Sequence, residues 1–327
     1  MDATAPAAAD AAAPAPSSAP EPAPVTTSTP SEKPPQPPAA ARARATHVRR
    51  VLTTADALLL RLSRLLSTPS GTDSLLCTLS YTLTFVAAHT RAYVSARLER
   101  FAAALVIKAT GALLPGETLI ATLPPSSRLA RASRATEAMT KLSALVGDFR
   151  VFVRLWALLD VYTWARGVWL EDAGKQDKEK DYVQRALVWG EVAASAAFQA
   201  LENGAYLADK GVSNGEWVTG EKGKRRVARW WVWSSRFWAA YVGLELARLG
   251  WAWAKESSEE QDKKVSEEDR RERALAWWKQ VVSNLAWAPM TLHWSSEEGF
   301  ISDAWIGFLG TVAGGVGLYE KWKLTAV

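Results

Sequence analysis

Chemistry that depends on sulfur or imidazole has little to work with in this sequence. Cys77 is the only cysteine, which excludes an internal disulfide and any zinc site built on cysteines. It fits a reducing compartment. His47, His89 and His293 are the only histidines, and they form no cluster. His293 and Glu297 have a helical i,i+4 spacing, but two ligands do not hold a metal. Gly215 and Gly220 have the spacing of a phosphate-binding loop, yet Glu221 stands where lysine is required. No nucleophile motif occurs. Arg154, Asp160 and Arg166 read as separate surface or pairing charges rather than a relay. The expectation is a protein that is not an enzyme, with no cofactor and no metal.

Other features are missing from parts of the chain only. Strand signals are scarce throughout, so an almost wholly helical protein is expected. No basic residue precedes Lys33, whereas secretory and mitochondrial leaders are basic. The last three residues, Thr325, Ala326 and Val327, are not a peroxisomal matrix address. Tryptophan is absent before Trp156, yet the chain has 17 of them. Dense tryptophan suits membrane interfaces and binding surfaces. Long uncharged runs are also rare, and the one that organises the chain lies near its end.

That run is Ala304 to Tyr319. Gly307, Gly310, Gly314 and Gly317 fall on one helical face within it. Each glycine costs about 1 kcal/mol against alanine in a helix interior. Small residues at this spacing let a second helix come close, and Gly310 to Gly314 is a GxxxG. Trp305 at one end, with Tyr319, Lys321, Trp322 and Lys323 at the other, suits an interfacial anchor. The run is short, since sixteen residues give about 24 Å against a hydrocarbon core of about 30 Å. The fold class expected is mainly α, a membrane-associated helical protein with amphipathic helices and a C-terminal glycine-rich membrane helix. The bland alternative is a buried hairpin helix of a soluble bundle.

Four regions follow from composition. Residues 1–46 carry eleven of the sixteen prolines and read as a disordered Ala/Pro-rich tail. Arg42, Arg44, Arg49 and Arg50 close it. Residues 47–123 form an N-terminal helical region. One helix begins near Thr53, and the turn Thr68 to Gly71 separates it from a second, Asp73 to Glu99. Gly111 and Pro115 break the apolar stretch after that. Residues 124–170 form a basic amphipathic region after Pro124 and Pro125, with Ser126 or Ser127 as cap. Residues 171–327 form a tryptophan-rich helical membrane region, with helix in its last part expected to stop at Pro289.

The amphipathic region carries the predicted membrane-binding residues. Leu142, Leu145, Val146, Phe149, Val153 and Trp156 share a face, with Lys141, Arg150 and Arg154 beside it. A basic amphipathic helix of this kind lies in a membrane interface. Packing on a soluble core uses the same periodicity. The net charge of +5 suits an acidic membrane surface as well as nucleic acid. If the protein is membrane-bound, basic residues at both ends place both termini in the cytosol. That requires an even number of spans, with Ala304 to Tyr319 the last.

Several stretches together resemble the peroxin eleven family of peroxisomal membranes, in particular a fungal branch. The clearest is Asn284-Leu-Ala-Trp-Ala-Pro-Met-Thr-Leu-His-Trp-Ser-Ser-Glu-Glu-Gly299, followed by the tryptophan-glycine helix that ends near Trp322 and Lys323. Glu202 to Val212 is similar to the family's segment before its later membrane region. Ser143 to Leu158, with Arg150 and Arg154, is similar to its amphipathic helix, and Gly71 to Tyr81 to its glycine-to-tyrosine motif. Thr72 and Ser74 replace the usual basic residues there. The resemblance spans roughly Thr53 to Val327. It implies a peroxisomal membrane protein that elongates and curves the membrane and promotes division of the organelle. The implied partners are membrane lipids, further copies of the chain and the division machinery, with no nucleic acid. A metabolite pore, with Asp160, Arg236, Glu245 and Arg248 along a path, and a soluble helical adaptor are the competing readings.

Overall fold

The structure, a computed structural model, describes residues 39–109, 118, 120, 127–174, 181–259 and 266–326. Eight α-helices account for nearly all of these: α1 (Ala39–Leu66), α2 (Pro69–Ala109), α3 (Arg128–Val153), α4 (Ala157–Gly174), α5 (Tyr182–Asp209), α6 (Gly220–Glu259), α7 (Glu267–Trp294) and α8 (Asp303–Leu324). The protein is mainly α, and no strand occurs among the described residues. The breaks expected at Gly111, Pro115 and Pro124 lie outside the described residues, as does the predicted tail up to residue 38. Residues 39–46 belong to α1.

Local chemistry accounts for four of the eight helix starts, those of α2, α3, α5 and α7. Ser127 caps α3, its hydroxyl accepting from the Ala130 amide at 3.1 Å. The Asp181 carboxylate accepts from the amides of Val183 and Gln184 at the start of α5. Ser266 does the same for α7 through the Asp269 amide. Such caps satisfy amides that a helix start leaves without partners. Between α1 and α2, the Thr68 hydroxyl accepts from the Gly71 amide. A side chain at Gly71 would sit 2.1 Å from the Leu65 carbonyl oxygen.

Several boundaries differ from the sequence expectation: α1 begins at Ala39 instead of near Thr53, and α2 runs on to Ala109 instead of Glu99. Within the basic amphipathic region 124–170, α3 gives way to a single 3-10 turn, Arg154–Trp156, before α4. Helix α7 runs through Pro289 to Trp294 instead of stopping there. Its last turns are held from outside, with Met290 and Thr291 fully buried. Among the described residues, no helix is long and apolar enough to cross a membrane. The spanning role expected of Ala304 to Tyr319, and the even count of spans built on it, are corrected accordingly. Asp303 and Glu320 bracket an uncharged run shorter than the roughly 20 residues a span needs.

The residues from 55 onward form one compact unit. Within it α2 packs between α3 and α8, α8 lies on α7, α7 on α6, and α6 on α5. The 3-10 turn at 154–156, which continues α3, itself packs on α5. The packing order therefore closes on itself: α2, α8, α7, α6, α5, α3 and α2 again. Small and polar residues make much of the interior. Ser80, Thr136, Ser143, Ser234, Asn284 and Thr291 are buried, with Ala87, Ala205 and Ala313. Many large apolar side chains lie outside instead.

Candidate functional site

Helix α3 meets α2 through hydroxyls. The Ser143 Oγ donates to the Ser80 carbonyl at 2.9 Å and lies 2.8 Å from the Thr84 Oγ1. Three residues on, Val146 is buried, only 9% exposed. Arg150 continues the same inward line. Its guanidinium donates twice to the Asp73 carboxylate, at 2.8 and 3.4 Å. Burial works against the charge on Arg150, but Asp73, with Cys77 and Tyr81 beside it, more than offsets that and holds its pKa above the ordinary value. Arg154 turns towards α5 and donates to both oxygens of Glu202, at 3.0 and 2.8 Å. Asn203 secures the same corner, donating to the Leu155 carbonyl at 2.7 Å.

This geometry divides the predicted membrane-binding residues. Leu142, Leu145, Phe149 and Trp156 stand on the outer surface, with Leu145 66% exposed. Val146 is buried and Val153 half-buried, so neither belongs to that surface. Arg150 and Arg154 do not flank it as free cations, because the carboxylates of α2 and α5 hold them on the inner side. Lys141 is exposed and pairs with Glu137 at 2.7 Å, one helical turn away.

The outer surface also extends further than the sequence pattern implied. Phe152 follows Phe149, and Leu158, Leu159, Tyr162, Trp169 and Leu170 carry it along α4. Phe152 and Trp156 meet edge-on across the 3-10 turn at 6.1 Å, so exposed apolar side chains run on from α3 into α4. Only the continued spacing into α4 could have revealed the second half. Arg128 and Arg131 are exposed at the N-terminal end of α3. A half-turned, partly aromatic face with a basic end has no chemistry of its own. What it can do is enter an apolar or interfacial medium.

The four predicted packing glycines lie together, but against this chain's own α2. A Cβ on Gly307 would sit 2.4 Å from the Phe85 amide nitrogen, and one on Gly310 only 2.2 Å from the Tyr81 ring. At Gly314 it would meet the Thr78 Oγ1 at 3.0 Å, and at Gly317 the Ser74 Oγ at 3.8 Å. The second helix that this face admits is therefore α2 of the same chain. Enclosure pushes the Tyr81 phenol up to about 12 and raises the Cys77 thiol as well, with burial the main cause of both.

The charges considered for a transport path are engaged elsewhere. Arg248 donates to Glu191 at 2.8 Å and to Glu245 at 3.4 Å. Arg236 donates to the Ser295 carbonyl and lies over the Trp233 ring at 4.8 Å. Asp160 is exposed. His293 serves the loop before α8. Its Nδ1 accepts from the amides of Phe300 and Ile301 at 2.7 and 2.9 Å. Among the described residues, no group of three or more potential ligands could hold a metal ion. No family model matches this sequence, and no curated protein or solved structure matches it either.

Proposed function

We propose that the protein shapes a membrane, with the outer face of α3 and α4 seated in the cytosolic leaflet. The exposure of Leu142, Leu145, Phe149, Phe152, Trp156 and Leu159, spaced three and four apart from α3 into α4, carries this reading. Apolar side chains placed this way gain by leaving water, about 1.5–3 kcal/mol for each one fully buried. A helix held in one leaflet spreads that leaflet and bends the sheet. The small, hydroxyl-rich interior supports the same reading, because helices in apolar media pack through such residues. Attachment by an interfacial face also needs no helix that crosses. Arg128 and Arg131 supply attraction to anionic lipid, each about 1 kcal/mol near a charged surface.

The organelle and the process rest on the resemblance of residues 71–81, 202–212 and 284–299 to the peroxin eleven family. On that basis the membrane is the peroxisomal one and the outcome is elongation and division, with the division machinery and further copies of the chain as partners.

Full-length protein mixed with vesicles of phosphatidylcholine and phosphatidylserine tests the mechanism. The protein should sediment with them and draw them into tubules. Leu145→Glu with Phe149→Glu should weaken binding about a hundredfold, since two buried apolar groups are lost. Both positions face outward, so the variant should melt like the parent. Binding that survives this change, or a parent protein that stays in the supernatant, would overturn the reading. A tagged copy beside a peroxisomal marker tests the organelle, and a diffuse signal that leaves organelle shape unchanged on overexpression would reject it.

A further inference from the structure

A cavity of about 630 Å³ lies inside the helical circuit, lined from α2, α3, α5, α6 and α7. That volume falls in the range of small-molecule sites. We propose that it binds a flat, ring-built carboxylate. The proposal stands on the cavity alone and is independent of membrane attachment.

One wall is aromatic. Trp238 stacks on Trp294 with ring centres 5.6 Å apart and planes 15° off parallel, and on Phe198 at 5.6 Å and 29°. Trp287 joins them, 5.1 Å from Trp238. Stacked ring faces receive another flat ring better than a flexible chain, because offset stacking gains beyond simple area burial.

The donors along this wall favour an acceptor. Trp189, Trp231, Trp251 and Trp277 each donate their indole N–H to a protein oxygen. Among the described residues Trp238, Trp287 and Trp294 have no such partner, and no buried side-chain nitrogen is left without one. Their N–H groups therefore remain accessible. Across the cavity, Glu202 takes the Nε and Nη2 of Arg154, which leaves Nη1 uncommitted. An indole N–H and a guanidinium donate and never accept. A carboxylate, which only accepts, complements them.

Gly147 adds an independent observation. It lines the cavity from the middle of α3. A Cβ built there meets no atom within 4 Å. No neighbouring helix requires a glycine at this position, and the open space in front of it is the cavity.

The test titrates the full-length protein with 2-naphthoate and follows tryptophan fluorescence, with decanoate as the chain-shaped comparison. Saturable binding of naphthoate, tighter than that of decanoate, is expected. Gly147→Leu fills the space and favours the helix, so it should fold as well as the parent and bind roughly tenfold more weakly or worse. Trp294→Leu, which removes part of the wall and one donor, should weaken binding by a second route. Absence of saturable naphthoate binding would overturn the proposal. So would equal affinity for decanoate, or parental affinity in both variants.

Discussion

Glu202 keeps only 7% of its side chain exposed and meets Arg154 through two hydrogen bonds. Removing the arginine alone would strand a buried carboxylate, a change that typically costs about 3–5 kcal/mol. Arg154→Leu should therefore lower stability by about 3 kcal/mol, near the bottom of that range because Arg154 itself is partly open. Arg154→Leu with Glu202→Leu should recover most of the loss. Urea melts of the two variants and the parent decide it, and a double variant no better than the single would show that the pair holds more than its own charges. Asp181 is a different case. It accepts from the Gln184 amide, from Trp251 and from Lys255, which together hold its pKa well below the ordinary 3.8. A depressed carboxylate contributes stability above its unfolded value and loses it as pH falls towards the folded one. Stability should thus drop below about pH 4 with a slope that Asp181→Asn lacks. Denaturant titrations between pH 2 and 6 would show this, and identical slopes would place the acid sensitivity elsewhere.

At the scale of elements, spacing alone identified the apolar face of α3 and the glycine face of α8, but not that the first stays exposed while α2 covers the second. The register of α3 against α2 is set by Asp73, Ser80 and Ser143, and that of its end against α5 by Glu202 and Asn203. Those partners lie roughly 50 to 75 residues away in sequence. A periodic pattern cannot tell which of its flanks turns inward, so Arg150, Arg154 and Val146 read as flanking or surface residues. The glycines signalled a close approach, and only tertiary packing shows that α2 makes it. Gly310→Ala should accordingly destabilise the protein, because the added carbon overlaps the Tyr81 ring. Gly315→Ala, where a Cβ meets nothing within 4 Å, should instead gain about 0.5–1 kcal/mol from helix propensity alone. Thermal melts of the pair should move in opposite directions. A neutral Gly310→Ala would mean that α8 slides easily on α2.

For the whole molecule, helical content and the starts of α3 and α8 were legible, because caps such as Ser127 and periodic apolar residues are local signals, whereas α1 begins at Ala39, well before the Thr53 its leucine spacing suggested. The order in which helices pack was not, because it is decided by contacts distant in sequence. The early and late parts of the chain meet in such contacts. Arg61 donates to the Trp322 carbonyl at 2.7 Å and lies over its ring at 4.4 Å, and Arg64 donates to the Thr325 carbonyl at 3.1 Å. Thr82 and Thr311 touch across a separation of 229 residues. A ribosome adding roughly 5–20 residues per second needs about 10–50 seconds to travel that far. For most of that time α2 stands outside the exit tunnel while the helix that fits its grooved side has not yet been made. Folding is therefore back-loaded, since the side of α2 that receives the glycines stays open until α8 emerges.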